Sequence, residues 1–248
     1  MPYPEIDDAT RQQLGELARG CRILEMEGHG DMTLGHLSLR ASSGNKFWMK
    51  RNRAGLGEIL GPDDFVLVDW EGRQLAGTGG RHSEWPIHSE IFRARPDVQV
   101  VAHTHPFYAC VFSAAAEPLQ PFTVDADYFF DVPRHQDEVA LITTKEEGQA
   151  LARSLGTGSA VIMGNHGVTF CGTSIPHAIC VGIFLEKACK AQVVGAAAGF
   201  KTSMPARAIR EKRHKQIMTP VHWEHSWNYF CRKLTARSGT DTPIFGRG

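Results

Sequence analysis

The amino-acid sequence predicts one α/β domain with a mixed or mainly antiparallel sheet flanked by helices. Three observations point there. Short β-prone runs cluster with short connections before Asp69, as neighbouring strands of one sheet do. Later strands alternate with segments of helical periodicity. No repeat, low-complexity tract or linker divides the 248 residues, which suffice for one large core.

Asp7 to about Glu27 reads as an amphipathic helix, with Leu14, Leu17, Ala18, Cys21 and Leu24 at helical spacing. A Gly-rich stretch from Gly28 to Gly35 leads into the alternating strand His36 to Arg40. Phe47 to Met49 and Phe65 to Asp69 are further strands, the latter followed by a turn at Glu71-Gly72. Pro86 to Arg95 is a helix with proline in its first turn, and the valine-rich run Val98 to His103 is a strand. Glu146 to Leu155 is a helix, Ala160 to Met163 a strand, and Val168 to Phe170 another strand beyond the turn Asn165-His166-Gly167. Ser174 caps a helix from about Ile175 to Val194. Ala206 to Leu234 is one further helical stretch, basic and then aromatic, whose Trp227 and Phe230 suit a subunit interface. Ser238 to Gly248 reads as a polar, mobile tail.

Apolar residues make up 42% and charged residues 22% of the chain, the balance of a globular protein. Lys plus Arg and Asp plus Glu each number 27. This lack of basic excess argues against nucleic acid as a partner. The N-terminus carries neither the basic nor the apolar region of a signal peptide, and no apolar run reaches a membrane span. A cytoplasmic location is expected, without membrane partners. Six scattered cysteines with no CxxC pair are expected as free, mostly buried thiols.

The 12 histidines carry the chemical information. His103 and His105 stand two apart at the end of an apolar strand, so they share a face and can offer two imidazoles to a divalent metal. His166 sits between Gly164-Asn165 and Gly167, a composition that turns tightly and exposes the ring. Glu84 precedes the Pro86 helix and could either interact with its dipole or supply a carboxylate. Each feature alone is also compatible with an ordinary structural role. Three histidines and one carboxylate suit Zn²⁺ or Mn²⁺, with Fe²⁺ and Co²⁺ also compatible, and leave Glu84 free to act as a base.

In this order, SEWPIHSEIFRARPDVQVVAHTHP, the NHG turn and GTSIPHAICVGIFLEKACKAQ resemble the class II aldolase/adducin family. The resemblance covers about residues 10–200, leaving 201–248 as a C-terminal helical extension and tail of a single domain. It implies a three-layer α/β/α fold around a mainly antiparallel sheet. It implies one divalent ion per subunit on His103, His105 and His166, with Glu84 as a further ligand or as acid/base. It also implies a homotetramer with the site at a subunit interface. Adducin-like interaction modules generally lack the full ligand set, so an enzyme is expected.

The chain departs from the sugar-phosphate aldolases in its anion pocket. His36 replaces the asparagine of their G-N-x-S-x-R segment, followed here by Ser38 and Arg40. Arg51 and Arg53 occupy the region of their T-G pair, and His82-Ser83 precede Glu84. Long cations and imidazoles change the preferred anion from phosphate toward carboxylate. His36, Ser38, Arg51, Arg53 and Ser83 are thus the candidate substrate-binding residues. The altered pocket looks more like that of family members that decarboxylate hydroxylated aromatic acids. The implied activity is a metal-dependent carbon–carbon lyase. It would decarboxylate a hydroxylated aromatic or related hydroxy- or keto-carboxylic acid through an enolate that the metal stabilises. Glu84 or His82 would return the proton, and the resemblance implies an extra acid from a neighbouring subunit, for which Tyr128 and Tyr229 are the candidates. The alternatives are an aldolase for an unphosphorylated hydroxy-carbonyl substrate, an iron-dependent oxygenase and a non-catalytic adducin-like module.

Overall fold

A computed structural model describes residues 6–136, 141–199, 201 and 203–238. Helix α1 (Asp8–Leu24) is capped by Asp7, whose Oδ1 accepts from the Thr10 N–H at 2.7 Å. It ends three residues before the expected Glu27, in a π-turn over Glu25–His29. Strands β1 (His36–Arg40), β2 (Lys46–Lys50) and β3 (Phe65–Asp69) form an antiparallel meander. A short β4 (Gln74–Ala76) extends its edge. Helix α2 (Trp85–Ala94) leads to β5 (Val100–Thr104), which pairs antiparallel with β1. Then come α3 (Phe107–Ser113), the two-residue β6 (Arg134–His135), α4 (Lys145–Leu155) and the hairpin β7 (Ala160–Met163) and β8 (Gly167–Gly172). The long α5 (Ile175–Ala197), α6 (Arg207–Ile217) and α7 (Pro220–Ser238) complete the order.

The sheet order is β4-β3-β2-β1-β5-β8-β7-β6, antiparallel throughout except between β6 and β7. Alternation along each strand sends side chains to two apolar layers. Phe47, Met49, Val66, Val68, Val101 and Val161 pack on α2 and α4. Leu37, Leu39, Val100, Ala102 and Phe170 pack on α1, α3, α5 and α7. The expected α/β/α layering and mainly antiparallel sheet are both present.

The differences from expectation have local causes. Elements β4, β6 and α3 are too short to carry a periodic signal. The single helix expected from Ala206 to Leu234 is two helices, because Pro220 has no N–H to donate and disfavours a helical residue before it. Trp223, Trp227 and Phe230 are buried in this chain's own core rather than left for a subunit interface. All six cysteines are free, four of them buried. The expected tail beyond residue 238 lies outside the described residues. No helix among those described is long and apolar enough to cross a membrane.

Helix α5 is buried on most sides and approaches the sheet closely at Gly182. A Cβ there would meet Phe170 Cζ at 2.5 Å, and that ring is fully buried. Gly182→Ala is therefore expected to cost about 1–3 kcal/mol through overpacking, visible as a lower urea midpoint.

Candidate active site

The site forms where β5, the β7–β8 turn and the start of α2 meet. Antiparallel register places His36 of β1 opposite His103 of β5, with Thr169 of β8 on its other side. All three lie on the α2 face of the sheet, beside Val101. The β7–β8 turn brings in His166, with Asn165 at φ +54°, a conformation that asparagine tolerates. Gly167 is required next. A Cβ there would lie 2.6 Å from the His105 ring and 2.7 Å from the Thr104 carbonyl oxygen.

His103, His105 and His166 converge, with one nitrogen from each inside a set whose members all lie within 4.8 Å. The His103 and His105 Nε2 atoms are 3.0 Å apart. His103 Nδ1–H donates to the Val168 carbonyl at 3.1 Å, and His105 Nδ1–H donates to Asp31 Oδ2 at 3.1 Å. These donations leave lone pairs on both Nε2 atoms. Burial, reinforced by His105 and His166, holds His103 far below the usual imidazole range. Burial, then His105, lowers His166 to about 4. Two imidazole nitrogens 3.0 Å apart fit a cation between them, because nitrogens about 2.1 Å from a shared ion approach to about 3–3.5 Å.

Glu84 stands at the N-cap of α2. Its Oε1 accepts from the Ile142 N–H at 3.2 Å. Its Oε2 lies 3.5 Å from His36 Nε2 and 3.8 Å from His103 Nε2. The Glu84 carboxylate therefore groups with His36 and His103 rather than with the three converging histidines. Burial raises its pKa to about 7.

Apart from the fully buried His103, these groups border a cavity of about 660 Å³. His36, His82, Ser83, Glu84, His105 and His166 line it, as do Asp31 and Asn52. Its rim is apolar, with Phe107 69%, Leu141 48% and Leu34 45% exposed. His82 is buried, and burial followed by the Lys50 charge lowers it to about 3.

Several candidate residues lie elsewhere. Arg51 does not line the cavity; its Nε donates to Asp64 Oδ1 at 2.9 Å. Arg53 is exposed at φ +60° and is not a lining residue either. Asn52 between them is. Ser38 is buried behind His88 instead of facing the cavity. Arg40 is occupied by the carbonyls of Phe92, Arg95 and Val98. Within this chain Tyr128 lines a different cavity, stacked on Phe184 with its hydroxyl bonded to His222.

The sequence reading missed four residues. Asp31 orients His105, and Asn52 lines the cavity. Buried Lys50 donates to the carbonyls of Thr33, Arg51 and Ala54, joining the two loops beside the site. His88 contacts both His36 and Ser38. Only His88 had a readable signal: it lies four residues after Glu84, hence on the same side of the helix.

A layered α/β/α fold with three converging histidines and an adjacent glutamate defines the class of protein. Residues 15–193 match the class II aldolase and adducin N-terminal domain family, and the chain belongs to it. It is 35% identical over 153 residues to decarboxylase NovR of Streptomyces niveus, covering 60% of this chain and 56% of that protein. It is 26% identical over 185 residues to 3,4-dihydroxyphthalate decarboxylase of Arthrobacter keyseri, covering 68% and 73%. The solved L-fuculose 1-phosphate aldolase of Glaciozyma antarctica superimposes with a TM-score of 0.81 at 27% identity, covering 96% of this chain and 95% of that one.

Proposed function

We propose that this chain is a divalent-metal-dependent carbon–carbon lyase that decarboxylates a hydroxylated aromatic or related hydroxy- or keto-carboxylic acid. The convergence of three imidazoles beside a buried glutamate, at the wall of one open cavity, carries this reading. His103, His105 and His166 would hold the ion, Zn²⁺ or Mn²⁺ by donor type. When bound, the metal supplies Lewis-acid stabilisation of negative charge developing on a substrate oxygen. Glu84 holds a proton near neutral pH and returns it to the carbon that loses CO₂. His82 stays neutral, so it serves this proton poorly and suits hydrogen bonding to the substrate, together with Ser83 and Asn52. Phe107, Leu34 and Leu141 offer an apolar rim for an aromatic ring. Assembly into a homotetramer, with Tyr128 or Tyr229 of a neighbouring copy completing the site, belongs to the same proposal.

The likeness to a sugar-phosphate aldolase favours aldol cleavage as a second reading. The phosphate cradle argues for decarboxylation: His36 replaces its asparagine and the rim is apolar. An NMR time course with Zn²⁺- or Mn²⁺-loaded protein tests both readings, using hydroxylated aromatic dicarboxylates and unphosphorylated hydroxy-acids. Bicarbonate with a new ring proton is the expected result. An aldehyde without bicarbonate would establish the aldolase instead. Oxygen consumption with Fe²⁺ would point to an oxygenase, and a failure to bind any metal to an adducin-like module.

Asp31 gives an independent check. Asp31→Asn removes the carboxylate that orients His105 and is expected to weaken metal binding about 10–100-fold, read by competition with a chromogenic chelator.

A further inference from the structure

Behind the cavity wall lies a column of buried polar side chains that the proposed chemistry does not use. Ser38 Oγ and His88 Nδ1 are 2.6 Å apart, and His88 Nε2 and His36 Nδ1 are 2.7 Å apart. Ser38 and His88 are fully buried and His36 is 2% exposed. His36 and Ser38 stand two apart on β1, on the face that α2 covers. His88 reaches them from α2, one helical turn beyond Glu84. The Phe47 ring stacks on His88 at 6.0 Å, and at the other end of the column His36 lies against the His82 and His103 rings, with centroids 4.5 and 5.2 Å away. Three polar side chains in such a layer cost free energy unless each is satisfied, and apolar residues would fill the space as well. The column's open end is His36 Nε2, a buried atom with no hydrogen-bond partner. It faces Glu84 Oε2 at 3.5 Å.

We propose that Ser38, His88 and His36 form a positioning column that holds the Glu84 carboxylate beside the three-histidine metal site rather than on it. The proposal rests on the metal reading above. Three observations support it. The Ile142 N–H secures one carboxylate oxygen and His36 faces the other. The Glu84 carboxylate is absent from the group formed by His103, His105 and His166. Finally, His88 and Glu84 ride on the same helix, so the column ties α2 to β1 at the point where Glu84 enters the site. The arrangement holds in either proton polarity. If Ser38 donates to the Val101 carbonyl (3.4 Å), the column ends in a His36 lone pair that accepts from a protonated Glu84. If Ser38 donates to His88, the column ends in a His36 N–H that donates to the carboxylate. The metal's remaining positions are thereby left to substrate oxygens, and Glu84 stays available for the proton.

The test is the d–d absorption of Co²⁺ titrated into metal-free protein. Wild type and Glu84→Gln are expected to give the same spectrum. His88→Phe removes the support of His36, and His36→Asn removes the last contact. In both variants the freed carboxylate reaches the ion, so the bands shift and lose intensity as coordination rises. Adding Glu84→Gln to either variant should restore the wild-type bands. A spectral change in Glu84→Gln alone would overturn the proposal, because Glu84 would already be a ligand. Wild-type spectra in His36→Asn would overturn it too, and this variant decides the matter if His88→Phe does not fold. Absence of any Co²⁺ spectrum in wild type would instead overturn the metal reading, and the column with it.

Discussion

Replacing His103 with alanine is expected to abolish metal binding. His103 is the only side chain shared by the two candidate ligand groups among the described residues. Its ring is fully buried, and its Nδ1 is committed to the Val168 carbonyl, so Nε2 cannot turn away from the cavity. No neighbour can substitute for it: His36 Nε2 faces Glu84, and Thr169 Oγ1 sits on the Nδ1 side of the ring at 3.3 Å. The loss of affinity should exceed the roughly 100-fold that removal of an orienting partner costs. His166→Ala should also release the ion. The two variants differ in stability. His103→Ala leaves the Val168 carbonyl buried without its donor, at a cost of about 1–3 kcal/mol. His166, by contrast, lies on a partly exposed turn. Metal analysis after dialysis, alongside urea unfolding of the metal-free proteins, reads both effects. Stoichiometric metal retained by both variants would sink the ligand assignment.

Glu84→Gln is expected to keep the metal and lose turnover. The amide has the shape of the carboxyl group and its oxygen can still accept from the Ile142 N–H. It cannot take up or return a proton. A positioned acid/base contributes about 10²–10⁴-fold, and a fall of that size in the rate of bicarbonate release is the expected result, with metal content unchanged. Turnover within a few-fold of wild type would remove Glu84 from the chemistry.

Local chemistry made much of this molecule legible in advance. Strands β3 and β7 begin and end where their short apolar runs and flanking residues say, because a run of four or five β-prone apolar residues bounded by polar or glycine residues marks its own ends. Asp7 and Ser174 announce helix starts, since a cap acts on N–H groups two or three residues away. His103 and His105 were readable as a pair because a strand's two-residue repeat puts them on one face. The substrate-side arginines were misplaced for the opposite reason. Arg51 and Arg53 look equally available in sequence, but where the Arg51 guanidinium points depends on which carboxylate the fold brings near, and that carboxylate is Asp64.

By itself, then, the sequence determined the α/β class, the family resemblance and the three histidines, all written in patterns of a few residues. Only the tertiary structure decided what surrounds them. Residue Asp31 lies 74 positions from His105 and His36 lies 52 from His88, separations that no periodicity spans. Sheet register and the seating of α2 make those contacts. They set Glu84 against His36 and bury the column behind it, because position across a sheet is decided by pairing partners distant in the chain.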